Sequence, residues 1–64
     1  MNWKNFDVEG WSCMVDRYTG IVLAFSNDGT KQIECNALDN RWVGMNQTLD
    51  EILHFARKTY KITA

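Results

Sequence analysis

Between Trp11 and Arg17 apolar and polar side chains alternate, with Trp11, Cys13 and Val15 on one side and Ser12, Met14 and Asp16 on the other. A period of two is that of a strand with one buried face. The following stretch, Gly20 to Asn36 (GIVLAFSNDGTKQIECN), reads as a hairpin turning at Asn27-Asp28-Gly29. Asn and Asp suit the right-handed positions of a type I turn, and Gly29 suits the left-handed residue that joins it to the returning strand. A three-residue loop closing at Ser26 and Thr30 opposes Phe25 with Lys31, Leu23 with Ile33 and Ile21 with Cys35. A two-residue Asp28-Gly29 loop opposes Leu23 with Glu34 and Phe25 with Gln32 and splits the apolar set between faces, so the three-residue loop is preferred. The link Arg17-Tyr18-Thr19-Gly20-Ile21 also places Gly third in its loop, and the same reasoning sets Val15 against Leu23 and Cys13 against Phe25. Trp11, Cys13, Val15, Ile21, Leu23, Phe25, Ile33 and Cys35 then share one face.

Past Cys35, a turn over Ala37 to Arg41, with Asn40 left-handed, leads to a short fourth strand from Arg41 to Met45. Val43 and Met45 point inward in that register and Trp42 outward; a loop one residue longer or shorter exchanges them. Thr48-x-x-Glu51 has the form of a capping box and opens a helix from about Leu49 to Tyr60. Its apolar stripe is Leu49, Ile52, Leu53, Ala56 and Tyr60, with Phe55 beside it, and Arg57, Lys58 and Lys61 gather where the helix dipole favours cations. Met1 to Gly10 places Trp3 and Phe6 three apart before Val8, a spacing compatible with one helical turn or an irregular arm over an open end of the core. The sum is an α+β fold, a single small domain over residues 1–64. It is a four-stranded antiparallel meander with one C-terminal helix packed on one face, β-β-β-β-α.

Composition narrows the functional classes. With 45% hydrophobic and 23% charged residues, the 64-residue chain is globular but has only a thin core. A formal charge of −1 supplies no general field for a polyanion, which argues against nucleic acid. The apolar runs are too short to span a membrane and the start does not resemble a signal peptide, so a cytoplasmic location with no membrane partner is expected. Cys13 and Cys35 lack CxxC spacing and are expected to be reduced core thiols, kept apart by the intervening strand.

No stretch spells a catalytic, cofactor or metal motif. His54, the only histidine, has Asp50 and Lys58 within a helical turn but no converging ligands, and Gly20 and Gly29 are accounted for by turns rather than by a phosphate loop. Asp16, Glu34, Asp39, Asp50 and Glu51 form no pair fit for acid and base work. A non-enzyme without cofactors is expected.

Surface remains. The face away from the helix is expected to carry Met14, Gln32, Glu34 and Trp42, together with Val22 and Ala24. Met and Trp inside a polar rim have the composition of a small protein interface. The expected function is therefore a non-enzymatic protein-protein module binding through that face, with partner-binding residues Trp42, Met14, Gln32 and Glu34; a homodimer is a second assembly to consider. The alternative is a nucleic-acid-binding domain using the sheet, or the basic helix end formed by Arg57, Lys58, Tyr60 and Lys61. The run TLDEILHFARK is similar to the ending of small β-β-β-α antitoxin domains of the HicB type, over eleven residues and with no site carried across. In size and composition the chain also resembles compact inhibitors or adaptors made by phages and mobile elements.

Overall fold

The computed structural model describes residues 2–61. One open antiparallel sheet, in the order β1-β2-β3-β4, is followed by a 3-10 turn, η1, and one helix, α1, packed on the sheet. The strands are β1 (Trp3–Val8), β2 (Trp11–Asp16), β3 (Ile21–Ser26) and β4 (Gln32–Asn36); η1 is Asn40–Trp42 and α1 is Gln47–Tyr60. The β-β-β-β-α architecture is that expected from the sequence, but its membership differs at both ends of the sheet.

The first strand is the segment read as a helical turn or an arm. Glu9 and Gly10 form a two-residue turn, with Gly10 at φ 82, so that Val8 pairs with Trp11 and Phe6 with Cys13. The alternation that marks a half-buried strand is obscured because its inward set is Lys4, Phe6 and Val8. Lys4, at the outer end of that set, stays exposed to solvent, with its ammonium 5.7 Å from the ring centre of Tyr60 on the helix.

The fourth strand expected at Arg41 to Met45 is instead η1 and an irregular link. Asp39 accepts a hydrogen bond from Arg41 N at 3.0 Å, and the left-handed residue is Gly44 (φ 83) rather than Asn40. The helix starts earlier than the Thr48 box implied. Asn46 is the cap, accepting from Leu49 N at 2.7 Å, and Asp50 accepts from Gly44 N at 2.8 Å. An Asn cap is as effective as Thr, and the earlier start lets the carboxylate of Asp50 fasten the incoming link as well. At the other end Lys61, at φ 56, closes the helix in the left-handed conformation.

Both tight links in the middle of the sheet are one residue longer than expected. Asp16 O accepts from Gly20 N at 2.9 Å, leaving Arg17 to Gly20 as a four-residue loop; Asp16 Oδ1 accepts from Tyr18 N and Thr19 N inside it. In the second link Ser26 N donates to Lys31 O at 3.0 Å, leaving Asn27 to Thr30. Asp28 Oδ1 accepts from the hydroxyls of Thr30 and Ser26 and from Thr30 N, and these bonds hold its carboxyl down at about 2. The observed pairs are Val15 with Val22, Cys13 with Ala24, Val22 with Cys35 and Leu23 with Glu34. Between β3 and β4 the register set aside on apolar grounds, Leu23 opposite Glu34 and Phe25 opposite Gln32, is thus the one the chain adopts, through a four-residue loop rather than a two-residue one. The two shifts cancel for β4 and leave only β3 reversed: Val22 and Ala24 face the helix, and Ile21, Leu23 and Phe25 face away.

The core between the layers consists of Val8, Cys13, Val15, Val22, Ala24, Cys35 and Ala37 against Leu49, Ile52, Leu53 and Ala56. Phe6, Trp11, Ile33, Trp42 and Tyr60 pack around it. The sheet side of this core is built mainly from Val, Ala and Cys, which leaves room for the helix to sit close. Cys13 and Cys35 are free and buried, two strands apart and offset by two residues along the strand direction. Burial pushes both thiols up to about 11.

Candidate interaction surface on the open sheet face

The molecule is a slab with Cα extents of 29 × 29 × 15 Å, the depth of one sheet and one helix. The helix covers one side of the sheet, and the strand pairing lays out the other side in rows. The middle row runs Asn5, Met14, Leu23, Glu34; a second runs Asp7, Ser12, Phe25, Gln32; the third is Trp3 beside Asp16 and Ile21 beside Asn36. Side chains directly opposite lie roughly 5 Å apart, so Met14 and Leu23 are in the centre, with Ile21 and Phe25 at either end of the β3 column.

Three properties define this face. The central strand sends its three bulkiest side chains outward and its smaller Val22 and Ala24 into the core. Phe25 is 38% exposed, while Met14, Ile21 and Leu23 are half-buried. The charged residues on the twelve positions of the face are Asp7, Asp16 and Glu34, all acidic. Asp16 stands on the β2 side of the apolar column and Glu34 on the β4 side. The surface is framed by fixed hydrogen bonds: Ser12 Oγ donates to Asn27 Oδ1 at 2.9 Å, and Asn36 Nδ2 donates to Thr19 O at 3.2 Å.

Met14, Gln32 and Glu34 therefore lie where the sequence placed them. Trp42 does not. It belongs to η1, where its half-buried indole packs against the core beside β4 and Arg41 lies over its ring at 5.7 Å. The strand that would have carried Trp42 outward does not form, and Val43 and Met45, expected inside, are 54% and 62% exposed. Sequence reasoning assigned Ile21, Leu23 and Phe25 to the interior. The only local signal against that was that IVLAF is apolar at every position, so it has no preferred face.

The basic helix end is similarly altered. Arg57 is half-buried, donating from Nε to Ala37 O at 2.8 Å, and Tyr60 OH donates to Asn2 O at 2.9 Å while its ring receives Lys4. Lys58 and Lys61 are left as the exposed cations of that group. His54 is exposed with Phe55 edge-on at 5.2 Å. Among the described residues no three His, Cys, Asp or Glu side chains converge as metal ligands would, and no helix is long and apolar enough to cross a membrane. No protein-family model, curated protein or solved structure matches the chain.

Proposed function

We propose that this chain is a protein-protein interaction module, of the size of a small inhibitor or adaptor, whose contact surface is the open face of the sheet. The observation that carries this reading is the orientation of β3. A domain with a thin core gains about 1.5–3 kcal/mol for each large apolar side chain it fully buries. This one nevertheless turns Ile21, Leu23 and Phe25 away from its helix. Contiguous apolar side chains rimmed by polar ones are the usual composition of an interface centre. Met14 adds a flexible, polarizable contact, and Gln32 and Glu34 supply the rim. The alternative of nucleic-acid binding gains nothing here, because the open face is acidic and Arg57 and Tyr60 are engaged within the fold.

The test is affinity capture from the cells that make the protein. Wild type is compared with a Leu23→Ser, Phe25→Ser variant and with a Val43→Ser, Met45→Ser variant that alters the other exposed apolar residues. A partner retained by wild type and by the second variant but lost by the first is the expected result. Equal retention by all three, each shown to be folded, would remove the open face as the contact surface.

A further inference from the structure

Resting on that reading, we propose that the open face receives a cationic amphipathic helix, which would turn the two-layer slab into a three-layer sandwich. The β3 column from Ile21 to Phe25 is about 13 Å long, between two and three helical turns, so apolar side chains at i, i+3 or i+4, and i+7 of a helix lie along it. An extended segment fits less well. Laid across a sheet face it would leave its backbone N–H and C=O groups against Leu23 and Phe25, where they find no partners, whereas a helix satisfies its own.

The charge pattern sets the sign of the flanks. Asp16 and Glu34 bracket the column from opposite sides, Asp7 lies farther out on β1, and none of the twelve positions is Lys or Arg; Arg41, which adjoins Ile21 and Glu34 at the β4 edge, is paired with Asp39 at 2.8 Å. Lys or Arg on both borders of an apolar stripe meets this arrangement, and the opposite sign is repelled. The same pattern disfavours a second copy of the chain, because stacking two open faces brings the three carboxylates of each together.

The probes are three amidated 18-residue peptides: a Leu stripe bordered by Lys, the same stripe bordered by Glu, and the Lys composition scrambled to abolish the stripe. Each is titrated into the 64-residue protein with its amides followed by NMR. The Lys-bordered helix is expected to bind at least about tenfold more tightly than either control, with the largest shifts at Met14, Leu23 and Phe25. Asp16→Asn with Glu34→Gln should weaken it about three- to tenfold, two rim pairs at the usual worth of such pairs, and raised salt should do the same. Asp16→Asn keeps the oxygen that accepts from Tyr18 and Thr19. A control of equal charge change, Glu9→Gln with Glu51→Gln, should leave binding unaltered.

Equal binding of the Glu-bordered or scrambled peptide, or shifts centred on α1, overturns the proposal. So does a dimer, seen by sedimentation of the protein alone, that Leu23→Ser dissociates. If the peptide fails but cellular capture still depends on Leu23 and Phe25, the open face remains the contact surface and the cationic helix is wrong. If neither depends on the face, both readings fall.

Discussion

Substituting neighbours on β3 tests the orientation on which the surface depends. Val22 is fully buried, so Val22→Ala deletes two methyl groups with no solvent to replace them. At roughly 0.8 kcal/mol for each carbon, with a cavity term added because the rigid sheet collapses little, the loss is about 2–3 kcal/mol. Leu23→Ala deletes three carbons, but from a half-buried side chain on the open face where no closed cavity is left, and should cost about 1–1.5 kcal/mol. In a domain of this size each kcal/mol moves the melting temperature by about 4–8 °C, so Val22→Ala should melt about 8–24 °C below wild type and Leu23→Ala about 4–12 °C below it. Circular dichroism during heating and urea titration would measure both. The expected order is opposite to that of carbon removed. A larger loss for Leu23→Ala would mean that β3 faces the other way and that the apolar column is core.

Three further outcomes follow from local geometry. Because the Cys13 and Cys35 thiols rise from an ordinary 9.0 to about 11, the folded chain holds protons that the unfolded chain releases; their contribution is fully present below pH 9 and lost as pH rises through 11. Unfolding free energy measured against pH should fall over that window, by about 2–3 kcal/mol for each thiol, and a Cys13→Ala, Cys35→Ala variant should lack the fall. Gly20→Ala should destabilise by more than about 1 kcal/mol in the same melts, since Gly20 sits at φ 76 and an added Cβ would lie 2.7 Å from both Asn36 Oδ1 and Leu38 Cγ. A neutral result would mean that Gly20 is not left-handed against Asn36 and Leu38. Asn46→Ala should cost about 1 kcal/mol of stability and Thr48→Ala much less, and the reverse order would return the cap to Thr48.

The sheet could be read from the residues wherever one face is polar. Trp11, Cys13 and Val15 against Ser12, Met14 and Asp16 identify the inner side of β2 with no help from the turns, and Ile33 and Cys35 do the same for β4. The helix stripe was equally legible: Leu49, Ile52, Leu53 and Ala56 are all buried. In β3 the decision fell to loop length. Gly20 and Gly29 both suit the third position of a three-residue loop, and hydroxyls and carboxylates that stitch a fourth residue into each loop leave no mark in the hydropathy pattern. β1 escaped because Lys4 occupies an inward position whose partner, Tyr60, is distant in sequence. At Trp42 the alternation of Arg41 to Met45 was too short to distinguish a strand from a 3-10 turn followed by Gly44. Of the surface, Met14, Gln32 and Glu34 were legible because β2 and β4 were; its apolar centre was not, because β3 was not.

The bond from Tyr60 OH to Asn2 O spans 58 positions, and α1 packs chiefly over β1. Every strand pairs with its neighbour in sequence, so the sheet needs only short loops to close and can zip early and fast. Covering β1 is different: the strand that opens the sheet is sheltered by the helix that follows all four strands. A nascent chain halted before Asn46 would hold Phe6, Val8 and Trp11 without the roof they share in the finished molecule, and limited proteolysis of such arrested chains should cut near β1 until α1 has emerged. Completion of this fold is therefore timed by its helix. Until then the chain presents two uncovered sheet faces instead of one, which makes the interval before α1 docks its period of greatest exposure to aggregation.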